Sequence, residues 1–320
     1  MKLSSQSADV SQNIKIKSWT QQLMKDVKKD WELYVFLLPT LVFFIVMKYG
    51  PMYGVQIAFR NFNGALGILG SKWVGLAHFK SFFASYYFPL LVRNTVFISV
   101  YSLIAGFPMP IILALMLNEV RKSKFKRSVQ TITYAPHFIS TVVMVGMLIT
   151  FLSPSAGIFN HLRVAIGLES RNYISEPALF RHIYVWSGVW QNTGWSSIIY
   201  LAALSSIDPQ LHEAATIDGA SRWQKIWNIN VPGILPTIVI LFILSSGSIM
   251  NVGFEKAFLM QNPTNMETSD VISTYVYRRG LISAEYSFSA AVGLFNSIIN
   301  FTLLILVNKL SKKLSETSIW

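Results

Sequence analysis

Residues 205–235 carry a charged elbow between apolar stretches, and the residue types there suit recognition better than catalysis. His212-Glu213 begins the H-E-x-x-H spacing that sets two zinc-binding imidazoles one helical turn apart, but position 216 is Thr, so the second ligand is missing. The other histidines, His78, His137, His161 and His182, are scattered, and His137, next to Pro136, reads as a buried hydrogen-bonding residue rather than a ligand. No cysteine is present, so thiolate metal sites and disulfides are excluded. No G-x-x-x-x-G-K-[ST] phosphate loop occurs either, so the chain is not expected to hydrolyse ATP itself. Docking is the chemistry that remains. Leu211, Ala214 and Ala215 share one helical face with little bulk, which permits close backbone approach. Trp223, Ile226 and Trp227 form an apolar stripe flanked by Arg222 and Lys225, suited to a groove in another protein or to lipid headgroups.

Local rules divide the elbow into two short helices. Asp208-Pro209 offers an N-cap oxygen followed by proline at the first helical position, where its missing N–H costs nothing. The first helix should run to about Ile217 and close at Asp218-Gly219, a pair tolerant of left-handed backbone. Ser221 to Gln224 has the S-x-x-Q spacing of a capping box, opening a second helix that Pro232 should end by disfavouring α conformation at Val231.

A second set of polar side chains interrupts the apolar stretches: Trp190, Gln191, Asn192, Thr193 and Trp195; Ser245, Ser246, Ser248 and Asn251; and Asn296 with Asn300, one turn apart on one face. In hydrocarbon such groups must be satisfied by other helices, water or cargo. Amides and hydroxyls interleaved with indoles suit a sugar, whose hydroxyls need hydrogen bonds and whose C–H faces stack on aromatics. Interhelical bonding explains them equally well, residue by residue.

The elements that must position these groups are membrane helices. Of 320 residues 52% are apolar and only 13% charged, with a mean hydropathy of +0.44, too oily for a soluble domain of this length. Six stretches lack Asp, Glu, Lys and Arg: Leu33–Met47, Asn94–Asn118, Ser128–Leu162, His182–Ile207, Ile226–Phe254 and Tyr286–Asn308. All but the first exceed the roughly 20 residues needed to cross about 30 Å of hydrocarbon, and the first gains length by snorkelling of Glu32 and Lys48. The expectation is an all-α polytopic membrane protein with six transmembrane helices. A cytoplasmic tail over 1–30, helical from Ser18, would precede a transmembrane domain over 31–310, with a short cytoplasmic tail over 311–320. The loop from Lys48 to Pro89 carries aromatics spaced for a membrane interface. Gly106-Phe107-Pro108-Met109-Pro110 must kink the second stretch.

Of the 27 Lys and Arg, sixteen fall on the face of the elbow and both tails, which should therefore be cytoplasmic. Topology also accounts for the basic run Arg121 to Arg127 and the +12 charge better than nucleic-acid binding does. The remaining eleven share the opposite, outer face with Glu169, Glu176, Glu255, Glu267, Asp270 and Glu285, a basic surplus compatible with an anionic cargo. The spans contain no ionisable Asp, Glu, Lys or Arg, which disfavours an ion-coupled secondary transporter, although a passive solute channel remains an alternative.

The spacing Glu213-Ala214-Ala215, then Gly219, Ile229 and Pro232, resembles the coupling-loop pattern EAA-x3-G-x9-I-x-LP of ABC importer permeases, departing only at Val231 for Leu. The segments YGPMYGVQIAF at 49–59, WVGLAHF at 73–79, ALMLNEVRKSKFKRSVQTITYAPHFIS at 114–140, IIYLAALSSIDPQLHEAATIDGA at 198–220 and GFEKAFLMQNP at 253–263 are similar to the carbohydrate-uptake permeases. Within that family they resemble the oligosaccharide and polysaccharide subgroup, which includes permeases of bacterial alginate importers. The resemblance implies a type I importer fold in the bacterial inner membrane and a heterodimer with a second, paralogous permease. It also implies two nucleotide-binding ATPase subunits that carry ATP and Mg2+, and an extracytoplasmic solute-binding protein. This chain would bind no cofactor or metal. Its elbow, with Glu213, Ala214, Ala215, Asp218, Gly219, Arg222, Ile229 and Pro232, would couple to the ATPase, Glu213 pairing with a basic residue there or locally with Arg222.

Overall fold

The computed structural model describes residues 28–315; most of the 1–30 tail, its expected helix from Ser18, and 316–320 lie outside the described residues. The chain forms two compact units, Met1–Val55 and Gln56–Trp320.

In the first unit, helix α1 (Trp31–Phe44) continues through a π turn, Ile45–Tyr49, and Gly50–Met52, so the helix outruns the expected end at Met47. Its apolar side chains stay outside, with Phe36 81% and Leu33 67% exposed, an arrangement that hydrocarbon tolerates and water does not.

The second unit opens on a small hairpin, β1 (Arg60–Asn63) antiparallel to β2 (Ser71–Trp73), with Arg60 opposite Trp73. The Lys48–Pro89 segment is therefore structured rather than a plain interfacial loop. Phe59 stacks on Trp73 at 5.6 Å, and Phe82, on helix α2 (Ala77–Phe83), is fully buried against Phe88 and Phe295. Tyr49 and Tyr86 remain exposed, as a belt requires.

Helices α3 (Tyr87–Gly106) and α4 (Pro108–Asn118) form one span interrupted only at Phe107, whose backbone stays helical at φ −69°, ψ −42°. The third stretch departs from expectation. Instead of one helix over 128–162, amphipathic α5 (Ser123–Tyr134) ends in a 3-10 turn at Ala135–Phe138, and α6 (Thr141–Phe151) leaves at 98°. Pro136 and the extended Ser140 cause the break: Ser140 Oγ accepts from Val143 N and starts the new helix, and a separate helix α7 (Ile158–Ala165) follows.

Helix α8 (Pro177–Ser205) is 29 residues long, roughly 43 Å at 1.5 Å per residue, and packs along α3 and α4. After the elbow, α11 (Val231–Ser246) ends eight residues before the expected Phe254. A segment of short helices follows, with α12 (Phe254–Met260), α13 (Met266–Ser269) and α14 (Ile272–Tyr277), and then α15 (Tyr286–Ser315). Among the described residues four helices are long and apolar enough to cross a membrane, Trp31–Phe59, Tyr87–Asn118, Arg222–Ser246 and Tyr286–Lys313, or five if the bent α5–α6 pair is one span. The six expected stretches thus reduce to four or five by length and apolarity; α8 is long enough, but its amides and indoles dilute it.

The core sits around α8. Phe180, Tyr184, Val185 and Val189 pack on Ile98, Met144, Val145 and Met260, while Tyr200 and Leu204 pack on Ala114 and Ile234 toward the elbow.

Candidate functional site

The elbow forms as local rules require. In helix α9 (Pro209–Ile217), Asp208 Oδ1 accepts from Gln210 N at 2.9 Å. Gly219 sits at φ +73°, and its N–H reaches Thr216 O while Ala220 N reaches Ala215 O. This is a Schellman closure that needs the left-handed residue. Helix α10 (Arg222–Lys225) opens with both halves of the Ser221–Gln224 capping box. Lys225 Nζ donates to Thr216 Oγ1 at 2.7 Å and fixes one short helix to the other.

Pro232 does not end the second helix. A π turn over Ile226–Asn230 joins α10 to α11, with Val231 helical at φ −64°, ψ −48°. The wider turn displaces the ladder where proline lacks its N–H, so the helix passes through. The second short helix of the elbow is consequently continuous with a membrane helix. Beneath it, Asn230 is fully buried and donates to Glu119 Oε1 at 3.5 Å, joining the end of α4 to the π turn.

Glu213, Ala214, Asp218, Gly219, Arg222 and Pro232 are exposed, Ala215 and Ile229 half-buried. Glu213 forms no ion pair with Arg222 among the described residues, so the local pairing is not made. Ile217 is 86% and Trp223 71% exposed, apolar area that this chain leaves uncovered.

The polar span residues meet at a cleft beside the α3–α4 break. A cavity of about 640 Å³ is lined by Trp195, Ser245, Ser248 and Asn251 together with Ser99, Ser102 and Gly106. The Ser99 hydroxyl is buried there without a partner. A second cavity of about 280 Å³ shares Ser102, Gly106, Pro110, Tyr184 and Ser196 with the first and adds Gln191, Asn192 and Lys256.

Other expected pathway residues are committed elsewhere. Asn296 and Asn300 both donate to Asn251 Oδ1, at 3.0 and 2.9 Å, and Asn300 Oδ1 accepts from Met250 N at 2.9 Å. They tie α15 to the frayed end of α11. Trp190 lines neither cavity and is half exposed. Gln191 Nε2 donates to Ile139 O at 2.8 Å, bracing the α5–α6 break. His137 is the hydrogen-bonding residue expected: its Nδ1 lies 3.2 Å from Asn192 Oδ1 and its ring stacks on Trp195 at 4.6 Å.

Sequence reading missed two groups. Tyr101 Oη accepts from Trp186 Nε1 at 2.8 Å and lies 3.0 Å from His182 Nδ1, a link between α3 and α8 that no spacing announces. Lys256, counted only toward the basic surplus of the outer face, reaches inward: its Nζ donates to Tyr184 O at 2.6 Å and lies 4.5 Å from the Tyr184 ring centroid. The signal available was the pair Glu255-Lys256 at the end of the Ile226–Phe254 apolar stretch.

Residues 106–316 match the family described as binding-protein-dependent transport system inner membrane component. The chain is 43% identical over 298 residues to the polygalacturonan/rhamnogalacturonan transport system permease protein YteP of Bacillus subtilis, covering 93% of this chain and 92% of that one. It is 41% identical to protein LplB of the same organism, with 93% of each covered. Among solved structures, a chain of a bacterial alginate ABC transporter in complex with an alginate pentasaccharide-bound periplasmic protein superposes with a TM-score of 0.85 at 44% identity, covering 93% of this chain and 100% of that one. An exposed elbow continuous with a membrane helix, a polar cleft behind it and these matches along nearly its whole length place the chain in the family of binding-protein-dependent transport system inner membrane components.

Proposed function

We propose that this permease imports a uronic-acid oligo- or polysaccharide, of the alginate or polygalacturonan kind, across the inner membrane, driven by ATP hydrolysed on separate subunits. The observation that carries the coupling part is the elbow: two short helices locked at Gly219 and by Lys225–Thr216, with apolar side chains turned outward and a π turn leading directly into a membrane helix. A push on such an element is passed to the helix that lines the cleft, because the backbone stays helical from Arg222 to Ser246. Glu213, Ala214, Ala215, Asp218, Gly219 and Arg222 offer the contact surface, while Ile229 and Pro232 lie where elbow becomes membrane helix.

The polysaccharide part rests on the relatives' substrates and on the cleft, where hydroxyls, amides and Trp195 surround a cavity of sugar-binding size. The assembly consists of this chain, a second permease, two ATPases with ATP and Mg2+, and an extracytoplasmic binding protein. The elbow and both termini lie in the cytoplasm.

The test is uptake by the reconstituted assembly together with capture of the ATPase on tagged permease. Glu213→Ala and Gly219→Val should each lower uptake by about tenfold or more and release ATPase, with membrane insertion unchanged. Normal uptake by both variants would sink the coupling reading.

A further inference from the structure

We propose that Lys256 is the carboxylate-binding residue of the translocation cleft, selecting uronate over neutral sugar as cargo passes. The inference rests on the reading that an acidic saccharide crosses this cleft.

Lys256 stands on α12 in the segment of short helices, but its side chain runs inward to the smaller cavity, between Tyr184 and Gly188 of α8. Gly188 supplies the room: a Cβ there would lie 3.1 Å from Nζ. The ammonium has three donors, of which one goes to Tyr184 O, leaving two for a ligand. The Tyr184 ring at 4.5 Å adds a quadrupole contact but no charge.

No acidic side chain neutralises this cation. Among the described residues Lys256 forms no ion pair, and Asp270, the buried acid of that segment, is already held by Arg278. Its neighbour Glu255 is exposed. An ammonium held out of water without an anion is costly, and burial pushes its pKa down to about 7. An anionic ligand reverses that cost by pairing with the two unused donors. The adjoining larger cavity is lined by Trp195 and serines and has no cation among its lining residues, so it suits the ring and hydroxyls of the same sugar unit. The two cavities share Ser102, Gly106 and Ser196 in their linings, so a carboxylate at Lys256 with its ring in the adjoining space matches a uronate, which carries both.

The experiment uses the complete importer in proteoliposomes and two probes: alginate pentasaccharide, and the same oligomer with its carboxylates reduced to primary alcohols. For Lys256→Met the half-saturating concentration of the acidic oligomer should rise about tenfold or more, with uptake of the reduced oligomer unchanged. Lys256→Arg should retain most of the preference. Should Lys256→Met fail to assemble, Lys256→Gln, which keeps a donor but no charge, gives the same comparison. Equal loss on both probes would overturn the proposal in favour of a packing role, and no loss on either would overturn it outright. Uptake of only the reduced oligomer by the unsubstituted importer would overturn the acidic-cargo reading as well, while leaving the importer intact.

Discussion

At the residue scale, two positions separate chemistry that sequence makes visible from chemistry it hides. Gly219 was legible because a left-handed closure between two caps leaves few alternatives, and it sits at φ +73° with open space where a Cβ would project. Substitution there is therefore penalised by backbone strain rather than by a clash. Gly219→Asn, which tolerates that conformation, should keep most transport, whereas Gly219→Val should lose it and cost about 1–2 kcal/mol locally. Uptake measured for the pair decides this, since a purely steric role would penalise both. Asn300 shows the opposite case. Its polar type in an apolar stretch marked it for cargo, but its amide is spent on Asn251 and Met250 N. Asn300→Leu should thus destabilise the protein by about 1–3 kcal/mol, seen as a lower melting temperature in detergent, by leaving the buried Met250 N–H unpaired. Asn296→Leu, which removes one bond to Asn251 and no backbone cap, should cost less. Type alone could not distinguish these roles, because the partner of each amide lies about 50 residues away in sequence.

At the element scale, the helices were legible where one local rule acted and misread where two competed. Asp208, Ser221 and Gln224 cap as expected because their partners lie within three residues. Pro232 was misread because the rule for a residue before proline ignores the π turn that absorbs the lost bond. The 98° bend at Ser140 was hidden inside an unbroken apolar run, since apolarity reports what surrounds a segment and not its direction. That bend is held partly by close backbone packing on α8. A Cβ at Gly194 would lie 2.0 Å from Thr133 O, so the glycine lets α8 touch the end of α5. Gly194→Ala should force the two apart, costing about 1–3 kcal/mol or more and lowering the yield of folded protein. Gly146→Ala on α6, with open space around it, is the matched control and should leave melting unchanged.

At the scale of the whole molecule, the coupling reading requires that the elbow and the hairpin before α3 lie on opposite sides of the membrane. The structure supplies the path: α4 ends at Glu119, whose Oε1 accepts from Asn230 at the entry to α11, while Phe62 N of the hairpin donates to Ser287 Oγ at the start of α15, at the other end of the spans. The expectation that the elbow end faces the cytoplasm rests on the bias of Lys and Arg toward the elbow side. Because the chain contains no cysteine, a single introduced thiol reports its own side without a background. Ile217→Cys on the elbow and Leu66→Cys on the hairpin are suitable, since both side chains are exposed, at 86% and 61%. In right-side-out vesicles an impermeant maleimide should label Leu66→Cys and spare Ile217→Cys, and inside-out vesicles should reverse the pattern. Assembly with the ATPase should then protect Ile217→Cys in the inside-out vesicles while leaving Leu66→Cys as it was. Labelling of both positions from one side would remove the elbow from the reach of any cytoplasmic motor, and with it the mechanism by which a chain without a phosphate loop drives cargo inward.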